Sequence, residues 1–204
     1  GIANDDSVTT ANINTVTSLN IYNMNISDLT GIEDFTALTQ LWCWSNQLTS
    51  LDVSGNTALT IVRCNNNQLT SLDVSANTAL IDLQCSSNPL TSLDVSQNTA
   101  LTWLRCSSNQ LTSLDVRNGN NTNILDSMFQ CVNNPNLTCI NVDDSTWSTN
   151  NWTTFIDPQH YFSNNCSGTG IEEYTTNKEL LRTIDILGRE TKGTKNEPLF
   201  YIYD

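Results

Sequence analysis

Positive charge is scarce in this chain: eight Lys and Arg stand against 21 Asp and Glu, for a formal net charge of −13. That balance excludes nucleic acid as a partner, because phosphates need a basic surface. It equally disfavours anionic lipid. No apolar run approaches the length that spans a bilayer, so membrane insertion is not expected. The chain opens at Gly1 without a basic, apolar leader, and the expectation is that any secretion signal is already absent.

Chemical machinery is equally thin. His160 is the sole histidine, so a Ser–His–Asp or Cys–His set has one place to form, and that place lies beyond the regular part of the sequence. Eight glycines, none in a phosphate-cradling cluster, leave no nucleotide loop. A glycosidase needs two carboxylates across a cleft, and nothing in the pattern builds a cleft. The chain reads as a non-enzyme with no cofactor.

What the sequence has is repetition, which is the first thing to look for. From Leu38 it reads LTQLWCWSNQLTSLDVSGNTA, then LTIVRCNNNQLTSLDVSANTA, LIDLQCSSNPLTSLDVSQNTA and LTWLRCSSNQLTSLDV. Degenerate copies flank these, from Leu19 to Leu38 upstream and from Phe129 to Val142 downstream. An amphipathic helix fails as an explanation, since L-x-x-L-x-C-x-x-N holds no helical period over two turns and the Asn-rich corners break helices. Each unit carries the motif twice: Leu38, Leu41, Cys43, Asn46, then Leu48, Leu51, Val53, Asn56. Both halves alternate inward apolar with outward polar residues, so extended segments are expected on both sides of each coil.

This pattern resembles the leucine-rich-repeat family, with Cys at the last consensus Leu of each strand. The upstream unit SDLTGIEDFTAL is similar to internalin-type repeats. The resemblance implies a β-rich solenoid with parallel strands, little helix and about six coils of 21–22 residues, forming a sheet about 25–30 Å long. The expected layout is a solenoid over 1–142, a C-terminal cap over 143–170, and a linker with a partial sorting domain over 171–204. In the cap, Trp147, Trp152, Phe155 and Phe162 would cover the open apolar end of the stack. The cap resembles that of repeat proteins secreted by Bacteroidetes. The tail motifs IDILGRE and PLFYIYD resemble the start of the C-terminal sorting domain of type IX secretion substrates, which implies a secreted or outer-cell-surface location. Without that resemblance, Arg182–Leu187 and Leu199–Tyr203 still read as a strand pair.

Stacking turns repeated positions into columns. Asn46, Asn67, Asn88, Asn109 and Asn134 are expected to satisfy buried backbone groups at the corners. Cys43, Cys64, Cys85, Cys106 and Cys131 point inward as small hydrophobes; a metal would need ligands that converge, not ones that run parallel. Of the seven cysteines, Cys139 and Cys166 remain, and a disulfide between them is expected. Asp52, Asp73, Asp94 and Asp115 face outward. Two readings stand for them: hydroxyls and backbone amides along the same edge satisfy the carboxylates, or Ca²⁺ binds between coils.

Alternation also sets the surface that faces a partner. On the side expected to be concave, Trp42, Trp44, Arg63, Gln84, Trp103 and Arg105 point out, with Tyr22 and Asp82 among their neighbours. Trp and Arg together are the usual composition of binding hot spots, and cation–π pairing of Arg63 with Trp42 and of Arg105 with Trp103 is expected. A loop or the tail folding over the rings is the competing reading. The resulting expectation is an adhesion or binding module, monomeric, for a protein ligand, with a polysaccharide ligand or a spacer role as alternatives.

Overall fold

The computed structural model describes residues 13–166, and the backbone of two further strands, Leu180–Asp185 and Leu199–Tyr203. The chain divides into two compact units, Gly1–Cys166 and Ser167–Asp204.

In the first unit, six short strands stack in parallel: β1 (Ser18–Asn20), β2 (Gln40–Trp42), β3 (Ile61–Arg63), β4 (Asp82–Gln84), β6 (Trp103–Arg105) and β8 (Phe129–Gln130). Their register repeats without slippage, Leu19 beside Leu41, Val62, Leu83, Leu104 and Phe129. A second parallel sheet lies on the other half of the coil: β5 (Ser92–Asp94), β7 (Ser113–Asp115), β9 (Cys139–Asn141) and β10 (Tyr161–Ser163), in the order β10-β9-β7-β5. The expectation of extended segments on both sides therefore holds, but the second sheet forms only in the later coils. Ser50–Asp52 and Ser71–Asp73 carry the same residues without strand pairing. Between the sheets runs one narrow core of Leu, Val, Ile and the five column cysteines.

The corners explain the period. Ser45, Asn66, Ser87, Ser108 and Asn133 all sit at positive φ, between 53° and 60°. This left-handed region favours Gly and short polar side chains that bond locally. The residue after each is a column Asn. Asn67 donates from Nδ2 to the carbonyls of Cys64 and Cys43, both at 3.0 Å, and its Oδ1 accepts from the Leu48 amide at 3.0 Å. Asn88 repeats this with Cys85, Cys64 and Leu69, and Asn109 with Cys106, Cys85 and Leu90. One buried amide thus clips each coil to the one before it. A second column, Asn56, Asn77 and Asn98, does the same on the opposite corner, where Asn77 donates to the carbonyls of Val53 and Asn56. The repeat shows these asparagines, yet their role as a second ladder is visible only in the fold.

Residues 143–166 turn over the last coil and close the stack. Helix α1 (Ser145–Asn151) is capped by Asp144, whose carboxylate accepts from the Trp147 amide. The chain then drives Trp152 against the last coil. The indole is buried, stacks on Phe129 at 4.1 Å, and donates to the Ile124 carbonyl at 2.9 Å. Burying one such ring contributes about 4–6 kcal/mol of apolar transfer energy. Trp147 and Phe162 pack edge-on around it. Phe155 contributes through its backbone, its carbonyl accepting from the Cys131 amide beyond the last paired strand. Cys139 and Cys166 are disulfide-bonded, and the five column cysteines are free and buried. No helix among the described residues is long and apolar enough to cross a membrane.

In the second unit, β11 (Leu180–Asp185) and β12 (Leu199–Tyr203) pair antiparallel, Thr183 opposite Tyr201. A strand pair forms where one was expected, but its first strand begins at Leu180 rather than Arg182; residues 186 and 187, the linker and the loop between the strands lie outside the described residues.

Two outcomes follow from this architecture. Asn88→Ala strips three buried hydrogen bonds and should cost about 2–4 kcal/mol in urea unfolding; a loss under about 0.5 kcal/mol would mean the corner is held otherwise. Alkylation in denaturant without reductant should label five thiols, and native protein should label none. Seven labelled thiols would rule out the Cys139–Cys166 bond.

Candidate binding face

The outward side chains of the six-stranded sheet fall into rows set by the register. One row runs Gln40, Ile61, Asp82, Trp103; the next runs Asn20, Trp42, Arg63, Gln84, Arg105, Gln130. The sheet spacing of about 4.8 Å brings successive members of a row into side-chain contact. Of the six residues expected on this face, Trp42, Arg63, Gln84, Trp103 and Arg105 fall in these rows and Trp44 follows β2; they are not equally open.

Trp103 is the hub. The Arg105 guanidinium lies 4.8 Å from its ring centroid and that of Arg63 lies 5.8 Å away. Arg105 thus pairs as expected, whereas Arg63 reaches across a coil to Trp103 and not to Trp42. The reason is Asp82, whose carboxylate accepts from Arg63 Nη2 at 2.7 Å and Nε at 3.1 Å. Gln84 Nε2 donates to the same carboxylate at 3.1 Å. Asp82 and Gln84 are buried, 4 % and 6 % exposed. The expectation that Gln84 offers an open contact therefore needs correcting: its side chain is buried, and its amide is turned to Asp82. Asp82 in turn orients Arg63, a role that alternation alone did not assign.

At the other end of the sheet Trp44 stacks on Tyr22, ring centroids 4.5 Å apart and planes within 9°. Tyr22 is 46 % exposed and Met24 beside it 58 %, so an aromatic and thioether patch continues the face. Trp42, Trp44 and Trp103 are each half-buried. Trp44 lies against Tyr22, and Trp103 against Arg63 and Arg105.

The outward carboxylates of the other sheet form local turns. The Ser54, Ser75, Ser96 and Arg117 amides donate to Asp52, Asp73, Asp94 and Asp115 at 2.8–3.1 Å. Asp28, bonded to Thr30 in the same way, is a further member that the degenerate first repeat concealed. The Ser54 hydroxyl and amide hold Asp52 below the usual carboxylate range, Ser75 does so for Asp73, and Thr30 for Asp28. For Asp115 burial pushes the other way, but the Arg117 bonds outweigh it. Among the described residues no three His, Cys, Asp or Glu side chains converge as a metal site.

The groups that chemistry would need are occupied elsewhere. Burial pushes the Cys43 and Cys85 thiols up to about 12, far from a reactive thiolate. His160 Nδ1 accepts from the Asp157 amide at 3.1 Å, and burial lowers its imidazole pKa. Asp157 meanwhile accepts from the Asn133 and Asn134 amides, both at 2.8 Å. This His–Asp pair therefore ties the cap to the last corner.

No family model matches the chain. Over 51 residues, 25 % of this chain, it is 45 % identical to internalin J of Listeria monocytogenes serotype 4b (strain F2365), and that stretch spans 6 % of internalin J. Among solved structures, the functional domain of InlJ from Listeria monocytogenes is similar at 42 % identity with a TM-score of 0.54. The match covers 65 % of this chain and 31 % of that one. That domain is described as including a cysteine ladder, and the present chain carries its own at Cys43 to Cys131. The internalin inlF of strain F2365 matches at 20 % identity and a TM-score of 0.47, over 65 % of this chain and 38 % of that one. The fold is a leucine-rich repeat of internalin-like build. The Bacteroidetes resemblance and the type IX resemblance find no counterpart among these relatives.

Because each column carboxylate is already engaged within its own coil, the melting temperature should not move with millimolar Ca²⁺ or with chelator. A Ca²⁺-dependent rise of several degrees would place the ion between the Asp52, Asp73, Asp94 and Asp115 carboxylates.

Proposed function

We propose that this chain is a non-catalytic binding module that takes a protein ligand on the outer face of its six-stranded sheet. The observation that carries the reading is the gathering of Trp42, Trp44, Trp103, Arg63 and Arg105 on that one face, already held in place by Asp82 and Tyr22. Aromatic rings and guanidinium groups fixed before binding lose little entropy on contact, which is what a hot spot requires. Three of the five tryptophans lie here, and none of the three is needed to fill the core. The five buried thiols and the cap histidine argue against catalysis.

A secreted or surface location accompanies this reading. The Cys139–Cys166 disulfide suits an oxidising compartment, and the chain is similar in sequence and fold to internalin J. Export by a type IX route rests on the tail resemblance alone. The module would act as a monomer, without nucleic acid or membrane insertion.

The test is Trp42→Ala combined with Trp103→Ala in the full chain, read against a panel of host-cell surface proteins and polysaccharides. Protein binding should fall at least tenfold, while stability drops by no more than about 1–2 kcal/mol for half-buried rings. Binding that survives would move the site off this sheet. Retention of polysaccharide in place of protein, lost in the same variant, would favour sugar stacking on the rings.

A further inference from the structure

Three arginines lie among the described residues of the first unit, and they differ in one respect. Arg63 is neutralised by Asp82 and Arg117 by Asp115. Arg105 faces no carboxylate among the described residues. Its row neighbours across the sheet are Gln84 and Gln130, and both amide groups are turned away, Gln84 to Asp82 and Gln130 to the Ser127 carbonyl at 3.0 Å. The guanidinium instead rests on the Trp103 ring. At alternate positions along β6 and just past it, Trp103 Nε1, Arg105 Nε and Ser107 Oγ are buried polar atoms without a hydrogen-bond partner in the protein. Two of these can only donate, and the hydroxyl can donate as well. A cation and unmet donors thus fall on alternate residues of one strand and its continuation, in an acidic molecule.

We propose that Arg105, seated on Trp103 beside Ser107, is the anchor for a single carboxylate on the partner protein. The inference rests on the reading of this sheet as a protein-binding face. A guanidinium held flat by an aromatic ring presents its fork at a fixed angle, and a carboxylate meets that fork with two parallel bonds. A polyanion fits poorly, because Arg105 is the one uncompensated cation among the described residues of the first unit and the chain is acidic overall. One carboxylate set among apolar or aromatic residues matches one guanidinium seated beside Trp103. The carboxylate can belong to an Asp or Glu side chain or to a chain terminus, and the chemistry is the same.

A synthetic library of ten-residue peptides, each made with a free and with an amidated C-terminus, is passed over the full immobilised chain. Peptides retained by the native protein should carry an Asp or Glu, or bind only with a free terminus. Changing that residue to Asn or Gln, or amidating the terminus, should weaken binding at least tenfold. Arg105→Gln should bind acid and amide versions equally, with its thermal melt unchanged. Arg105→Lys keeps the charge without the fork and should retain part of the preference, so it serves if the first variant folds poorly. Retained peptides with no acid dependence, or an acid preference that survives Arg105→Gln, would overturn the anchor while leaving the binding face standing. No retained peptide at all would overturn the protein-binding reading and the anchor with it. Capture of polygalacturonate alone, lost in Arg105→Gln, would reject the protein source.

Discussion

Every coil of this molecule must turn sharply inside its own core, and each turn strands carbonyl groups where water cannot reach them. The column asparagines solve that constraint. An amide at Asn67, Asn88 or Asn109 donates to its own coil and to the one before, and accepts a backbone N–H in return. Leaving such groups unpaired would cost about 1–3 kcal/mol each, which no narrow core of this kind could absorb several times over. The requirement fixes where each Asn stands in its coil rather than how long the coil is: Asn134 comes 25 residues after Asn109, yet it donates to the Cys106 and Cys131 carbonyls and accepts from the Leu111 amide in the same way.

A fixed period has a chemical consequence, because whatever occupies one position is stacked on its own kind in the next coil. The molecule tolerates this in three ways. Inward, Cys is small and stays neutral, its thiol held far above the range in which repulsion between thiolates would arise. On the opposite half of each coil, Asp52, Asp73 and Asp94 each bond to the amide two residues on, so the charge is partly met within its own coil. On the first sheet the repeat is broken: the positions equivalent to Trp42 hold Arg63, Gln84 and Arg105. Variation at those positions, on a scaffold that otherwise copies itself, is where a surface becomes particular.

Much of this was legible in the sequence. The alternation around Leu41 and Cys43 decides which side chains enter the core, and that decision carries over to every coil. The pairing of Cys139 with Cys166 followed from the column, since the other five cysteines were committed to it. Less legible was what outward side chains do after they leave the sheet. Alternation places Asp82, Gln84 and Arg63 on one face. It does not say that Arg63 leans across a coil toward Trp103, or that Gln84 ends up covered, because those outcomes depend on side-chain length and on competition for one carboxylate. Asp28 was missed for a different reason. The first repeat has drifted, and a position is recognised as part of a column only when its neighbours in sequence still match.

The disulfide has a mechanical meaning apart from any stabilisation. It joins Cys139, in the middle of the second sheet, to Cys166, at the end of the first unit. The 27-residue separation contains α1, β10 and the Trp152 plug. Tension applied beyond Cys166 enters the stack through the sulfur bridge at β9 and bypasses the entire cap. The hydrogen bonds of β10 and the stacking of Trp152 on Phe129 are thereby spared the load, and the end of the solenoid that must stay sealed is the part that is never pulled.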